Sequence, residues 1–115
     1  MSVKTIEKMI DWVEDNILGK PTLGEMSYYV GYSPFYCSNK FHEYVGITFK
    51  HYIAKRRLSL ATAEIRNTNR KLLDIALDYG FSSQEAFTRA FTSTYGYTPY
   101  QFRKQMPEVV LYQRH

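Results

Sequence analysis

Gln84, Glu85, Thr88 and Arg89, with Thr92 behind them, fall on one stripe of a segment with helical periodicity. Their chemistry suits the edges of base pairs. Arg can donate two hydrogen bonds to guanine, Gln can pair with adenine, Glu can accept from the cytosine amino group, and a Thr methyl can meet the thymine methyl. The opposite stripe, Phe87 and Phe91 with Ala90 and Thr94 beside them, is expected to face a core. Polar residues on one helix face also suit simple solvation. What favours DNA is the repeat that contains them.

Val30-Gly31-Tyr32-Ser33 leads to Phe41 and Gly46, and Tyr79-Gly80-Phe81-Ser82 leads to Phe91 and Gly96, with one extra residue after the turn in the second copy. Each copy reads helix, Gly turn, helix. That is the sequence form of a helix-turn-helix, and two tandem copies imply two DNA-reading helices in one chain. Carried onto the first copy, the stripes give Cys37, Phe41 and Tyr44 as the core face and Phe35, Ser38, Asn39 and His42 as the outer face. Asn39 can read adenine, and Phe35 can meet a thymine methyl or sugar or staple into neighbouring aromatics. Ser38 is permissive, so the first helix is expected to be the softer reader.

The elements that must position these helices are punctuated by Gly, Pro and hydroxyl residues. A first helix over 2–18 places Ile6, Met9, Ile10, Val13 and Ile17 on one side and Glu7, Asp11, Glu14 and Asp15 on the other, so it should cover the first repeat's core. Thr22 can cap a helix over 23–30, and Ser33 with Pro34 can open one running to about 44. A segment over about 48–66 has no Gly or Pro, and as a helix it would be roughly 28 Å long at ~1.5 Å per residue. Successive major grooves on one face of B-DNA lie about 34 Å apart, so a rod of this size could set the two reading helices into adjacent grooves. Asn67-Thr68-Asn69 breaks the pattern, a helix begins near Leu72, Ser82 or Ser83 caps the next to about 94, and Thr98-Pro99 opens a short last one. The expectation is an all-α chain of about seven helices, two tandem helix-turn-helix subdomains joined by a long linker helix. Its divisions are a first subdomain at 1–47, the linker at 48–67, a second subdomain at 68–104 and a tail at 105–115, which packs, is disordered or opens a further domain.

A net charge of +4 favours polyanions without demanding them. Lys40, Arg56, Arg57, Arg70 and Lys71 are the cations placed to contact phosphates, which would make affinity fall with salt. The one cysteine, Cys37, cannot form an internal disulfide or a cysteine-based metal site, and its inward phase reads as inert core rather than a reactive thiol. His42, His51 and His115 have no ligand spacing, and no phosphate-cradling Gly loop is present, so no catalytic residue, metal or cofactor is expected. Neither a signal peptide nor an apolar run of membrane-spanning length occurs, which points to the cytoplasm and excludes a membrane partner.

Gly80-Phe81-Ser82-Ser83-Gln84-Glu85-Ala86-Phe87-Thr88-Arg89-Ala90-Phe91, followed by Tyr95-Gly96-Tyr97-Thr98-Pro99 and Tyr100-Gln101-Phe102-Arg103, resembles the signature of AraC/XylS transcription regulators. With Gly31-Tyr32-Ser33, Phe41, Gly46 and the Tyr52-Ile53 to Arg57-Leu58 segment, the resemblance covers roughly 9–104. It implies a bacterial DNA-binding unit that binds an asymmetric promoter site in double-stranded DNA as a monomer, in the nucleoid, and activates transcription by contacting RNA polymerase. It also puts base reading on Phe35, Ser38 and Asn39 in the first helix, where related stand-alone activators tend to carry Trp, Gln and Arg, and on Glu85 and Arg89 in the second. Two alternatives stay open: the DNA-binding piece of a larger ligand-sensing regulator, or a protein-interaction module that has lost DNA reading.

Overall fold

A computed structural model describes the whole chain, Met1–His115. It contains seven α-helices and no strand: α1 (Val3–Asp15), α2 (Leu23–Val30), α3 (Pro34–Val45), α4 (Phe49–Asn67), α5 (Leu72–Asp78), α6 (Gln84–Tyr95) and α7 (Pro99–Gln105). The chain divides into two compact units, Met1–Lys55 with Arg114–His115, and Arg56–Gln113. The expected linker is thus one unbroken helix whose residues are shared out between the units, up to Lys55 in the first and from Arg56 in the second.

In the first unit, hydroxyl caps start each helix. Ser2 accepts from the Thr5 amide at 3.2 Å, Thr22 from the Glu25 amide at 3.1 Å and Ser33 from the Tyr36 amide at 3.2 Å, each satisfying an amide that the helix leaves unpaired. Pro34 follows at the first helical position, where its fixed φ suits the helix and no donor is lost. The stop of α2 is Gly31 at φ 85° and that of α3 is Gly46 at φ 92°, left-handed positions where a side chain would cost about 1–2 kcal/mol.

The helices bury what the periodicity marked. α1 turns Ile6, Met9, Ile10 and Val13 inward, α2 turns Met26, and α3 turns Cys37, Phe41 and Val45. Phe41 is fully buried and meets Phe49 and Tyr52 edge-on at 5.6 and 5.5 Å. The Tyr52 hydroxyl donates to Glu14 Oε2 over 3.1 Å and accepts from the His115 amide at 3.3 Å. One expectation fails: Tyr44 is 38% exposed, and Val45 takes the inward place. The last turn of α3 thus closes its core with Val45, while the Tyr44 ring packs at the surface against the His115 ring, 5.3 Å away.

The second unit is built around an aromatic ladder. Phe87 lies 4.9 Å from Phe81 and 5.7 Å from Phe91, and Phe91 lies 4.8 Å from Tyr95 and 5.5 Å from Phe102. Leu58, Ala61 and Ile65 of α4 and Ile75 and Ala76 of α5 complete this core. Truncating a ring so enclosed, Phe91→Ala for example, costs ~3–5 kcal/mol. Thr94, read as flanking the core stripe, is exposed instead, its hydroxyl donating to the Ala90 carbonyl over 2.9 Å. α7 starts with a capping box, Thr98 accepting from the Gln101 amide at 3.1 Å and the Gln101 side chain accepting from the Thr98 amide at 2.9 Å. Beyond α7 the chain has no helix, yet it packs: Val109 lies against the core, and the Tyr112 amide donates to Ser59 Oγ over 2.7 Å.

Candidate nucleic-acid interface

α6 separates its two faces sharply. Phe87 and Phe91 have no exposure, whereas Gln84, Glu85 and Arg89 are exposed and Thr88 is half-buried beside them. The division follows from the helical repeat, which sets Glu85 and Arg89 one turn apart on the same side. Ser83 fixes where the helix begins, its hydroxyl accepting from the Ala86 amide at 3.0 Å. Gln84 and Glu85 therefore stand in the first turn, the end from which a helix seated in the major groove reaches base edges, and the carboxylate there is favoured by the helix dipole.

The turn ahead of α6 is held closely. Gly80 has φ 87°, and a Cβ placed on it would lie 2.9 Å from Nη1 and 3.1 Å from Cζ of Arg57. The guanidinium is thus packed onto the turn backbone, and burial lowers the pKa of Arg57 from its ordinary range, although an arginine stays charged.

α3 carries the corresponding face of the first unit. Phe35 is 79% exposed at its amino end, Asn39 is exposed, and Ser38 is half-buried. Around them the surface is aromatic: Tyr32 stacks on Tyr36 at 5.6 Å, and Lys40 Nζ sits 5.7 Å over the Tyr36 ring while pairing with Glu43 at 3.5 Å. Tyr28 on α2 is 91% exposed, a large apolar surface that helical phase alone did not mark.

The cations read from the sequence occupy different environments. Lys71, just before α5, is exposed. Arg70 pairs with Glu64 at 3.2 Å and with Asp78, and the Asp78 hydrogen bond is the main reason its pKa rises. Arg56 does not fit the phosphate role: only 9% of it is exposed, and Nη1 donates to the Tyr112 carbonyl over 2.8 Å. Arg57 is half-buried against Gly80, as above. Sequence reasoning also passed over Arg103, whose Nη1 donates to the Arg70 carbonyl at 2.6 Å and whose Nη2 donates to the Thr68 carbonyl at 3.4 Å, tying down the loop that enters α5. A basic residue in a helix's last turn reads as a dipole partner, so nothing in its spacing gave this away.

Cys37 is buried, and desolvation raises its thiol pKa despite an opposing hydrogen bond with Ser27, so it carries little thiolate at neutral pH. No group of three His, Cys, Asp or Glu is placed to hold a metal ion. No helix is long and apolar enough to cross a membrane.

A Gly-turn-helix in each unit, each second helix seated on a buried core with its other face exposed, polar on α6 and mixed polar and aromatic on α3, defines a helix-turn-helix DNA-binding protein. Comparison with known proteins agrees. A family described as a helix-turn-helix domain matches residues 26–105. Regulatory protein SoxS of Salmonella typhimurium is 34% identical over 101 residues, 88% of this chain and 94% of that protein. The HTH-type transcriptional activator AarP of Providencia stuartii is 32% identical over 98 residues, 85% of this chain and 73% of that protein. The crystal structure of an AraC-type transcriptional regulator from Chromobacterium violaceum superposes with a TM-score of 0.82 at 26% identity, over 91% of this chain and 94% of that one. The chain belongs to the AraC/XylS family of DNA-binding transcription regulators.

Proposed function

We propose that this protein is a transcription activator that binds an asymmetric promoter site as a monomer, with α3 and α6 in adjacent major grooves, and contacts RNA polymerase from that position. The observation that carries the reading is the face of α6: Gln84, Glu85 and Arg89 stand exposed over a helix side that Phe87 and Phe91 seal. Arg89 is the donor for a guanine, Glu85 the acceptor for a cytosine amino group, and Gln84 and Thr88 read neighbouring positions. Phe35, Ser38 and Asn39 give the first helix a weaker vocabulary, one apolar contact and one adenine-reading amide. Because the two copies are related by translation along the chain, the site is a direct, non-palindromic one and no dimer is needed. The activator role follows AarP, a relative named for it. A binding rather than catalytic role fits a chain whose relatives are transcription regulators, and the cytoplasmic nucleoid is where it would act.

Affinity is supplied by phosphate contacts. Lys71 is exposed and available. Lys40 can exchange Glu43 for a phosphate at little cost, since an exposed ion pair contributes only ~0–1 kcal/mol. Arg70 must leave two carboxylates to do the same and contributes less. Fluorescence anisotropy with a selected and a random duplex across a salt series tests this function. The expected result is linear loss of log affinity with log salt for both and a specific preference that persists; equal binding to both at every salt concentration contradicts it.

A further inference from the structure

Four glycines of this chain, Gly31, Gly46, Gly80 and Gly96, adopt positive φ, but their surroundings differ. A Cβ on Gly31, Gly46 or Gly96 would meet nothing within 4 Å, so those positions need glycine for conformation alone. Gly80 needs it twice over. Its missing Cβ leaves the space that the Arg57 guanidinium occupies, with Nη1, Cζ and Nε at 2.9, 3.1 and 3.4 Å from where that atom would stand.

We infer that Arg57 is a positioning residue for base reading: its guanidinium, seated on the Gly80 turn, sets the angle at which α6 leaves α5 and so the reach of Glu85 and Arg89. The structural chain is short. Arg57 lies on α4 one residue before Leu58, which is part of the core that also contains Phe87 and Phe91 of α6. The guanidinium therefore lies against the turn on a helix that the same core fixes. It lies at the Gly80 turn, in the short connection between α5 and α6. A planar, rigid group suits such a contact better than a lysine ammonium, which is compact and strongly hydrated.

The repeat offers a parallel. The residue the same distance upstream of Gly31 as Arg57 is of Gly80 is Lys8, and its Nζ lies 5.4 Å over the ring of Tyr29, near the end of α2. Each unit thus sets a cation from the preceding long helix on the end of its first helix-turn-helix element. In the second unit the cation fills the space a Cβ on the turn glycine would take, whereas a Cβ on Gly31 would meet nothing within 4 Å. This difference accompanies the difference in outer faces, the more explicit reader having the more tightly held turn.

The inference rests on α6 reading bases, and it assigns Arg57 a role different from a phosphate contact. The two roles separate in solution. The Arg57→Met and Arg57→Lys variants of the full chain are compared with wild type by fluorescence anisotropy. The probes are the selected duplex, the same duplex with the base pair assigned to Arg89 changed, and a random duplex, each over a salt series. A positioning role predicts that both variants lose preference for the selected over the changed duplex on the order of tenfold, while random-duplex affinity and the salt slope stay at wild-type values. A phosphate role instead predicts equal weakening on all three duplexes, a slope lower by about one for Arg57→Met and a near-normal Arg57→Lys, and that pattern overturns the inference. Retained preference in a folded Arg57→Met variant overturns it as well. Should Arg57→Met fail to fold, Arg57→Lys, which keeps the charge and most of the stem, decides: normal preference contradicts positioning, lost preference with a normal slope supports it. If wild type itself shows no preference between the duplexes, the base-reading function fails first and the inference with it.

Discussion

Arg56 holds the backbone of Tyr112. Nη1 donates to the Tyr112 carbonyl over 2.8 Å while Ser59 Oγ accepts from the Tyr112 amide at 2.7 Å, so one residue of the chain after α7 has both its backbone groups bonded to α4. A cation that reads as a phosphate contact is therefore a structural strut. Arg56→Ala should cost ~1–3 kcal/mol of stability in denaturant unfolding, because it strands a part-buried carbonyl and removes packed stem. Its salt slope for random duplex should match wild type. A slope lowered by about one, with stability intact, would instead return Arg56 to the phosphate set.

The start of α6 should be sensitive to one hydroxyl. Ser83→Ala removes the acceptor of the Ala86 amide and should lower stability by ~1 kcal/mol. Hydrogen exchange should show faster exchange at Ala86 and the neighbouring amides of the first turn. Since Gln84 and Glu85 stand in that turn, affinity for the selected duplex should fall more than affinity for random DNA. Equal losses on both would detach the cap from base reading.

Cys37 offers a pH test. Its folded-state pKa is raised by burial, so the folded chain holds the thiol proton in a range where the unfolded chain releases it. Unfolding then releases a proton, and the associated stability is complete below the ordinary thiol value of 9.0 and is lost as pH rises through the higher folded value. Tyr79, also raised mainly by burial, adds to the same decline above 10.0. Cys37→Ala should flatten the part of the decline that begins near 9.0, and the native thiol should resist alkylation until the protein unfolds. Rapid modification of the folded protein at neutral pH would contradict the burial argument.

Single-residue binding effects should divide by environment. Arg89→Ala should cost ~1–3 kcal/mol at one base pair and relax preference there, and Lys71→Ala should weaken all duplexes alike and lower the salt slope by about one. A selected and a random duplex titrated over salt distinguish the two patterns. A uniform loss for Arg89→Ala would reduce it to a phosphate contact.

The helices were legible because their ends carry explicit chemistry: Ser33 before Pro34, Gly46, Ser83, Gly96 and Thr98 before Pro99 all stand where the structure caps or stops a helix. The faces of α6 were legible because it buries a narrow stripe under a polar outer side. α4 was harder. It buries Tyr52, Ile53, Arg56, Leu58, Ser59, Ala61, Thr62 and Ile65, positions covering more than one face, so phase could not separate Arg56, which is enclosed, from cations that stay wet. Tyr44 and Thr94 show a second limit, since in the last turn before a terminal Gly the residue that closes the core need not follow the stripe. The bonds of Tyr112 run through its backbone and leave no side-chain pattern to read.

Selection of bound sequences from a random duplex pool, carried out in parallel with wild type and Arg89→Ala, tests the central claim most directly. Two unequal readers on one chain predict a non-palindromic consensus with one strongly and one weakly specified cluster, and the variant should lose preference at a single position of the strong cluster. A palindromic consensus, or the same consensus from both proteins, would contradict reading by α3 and α6 of a monomer.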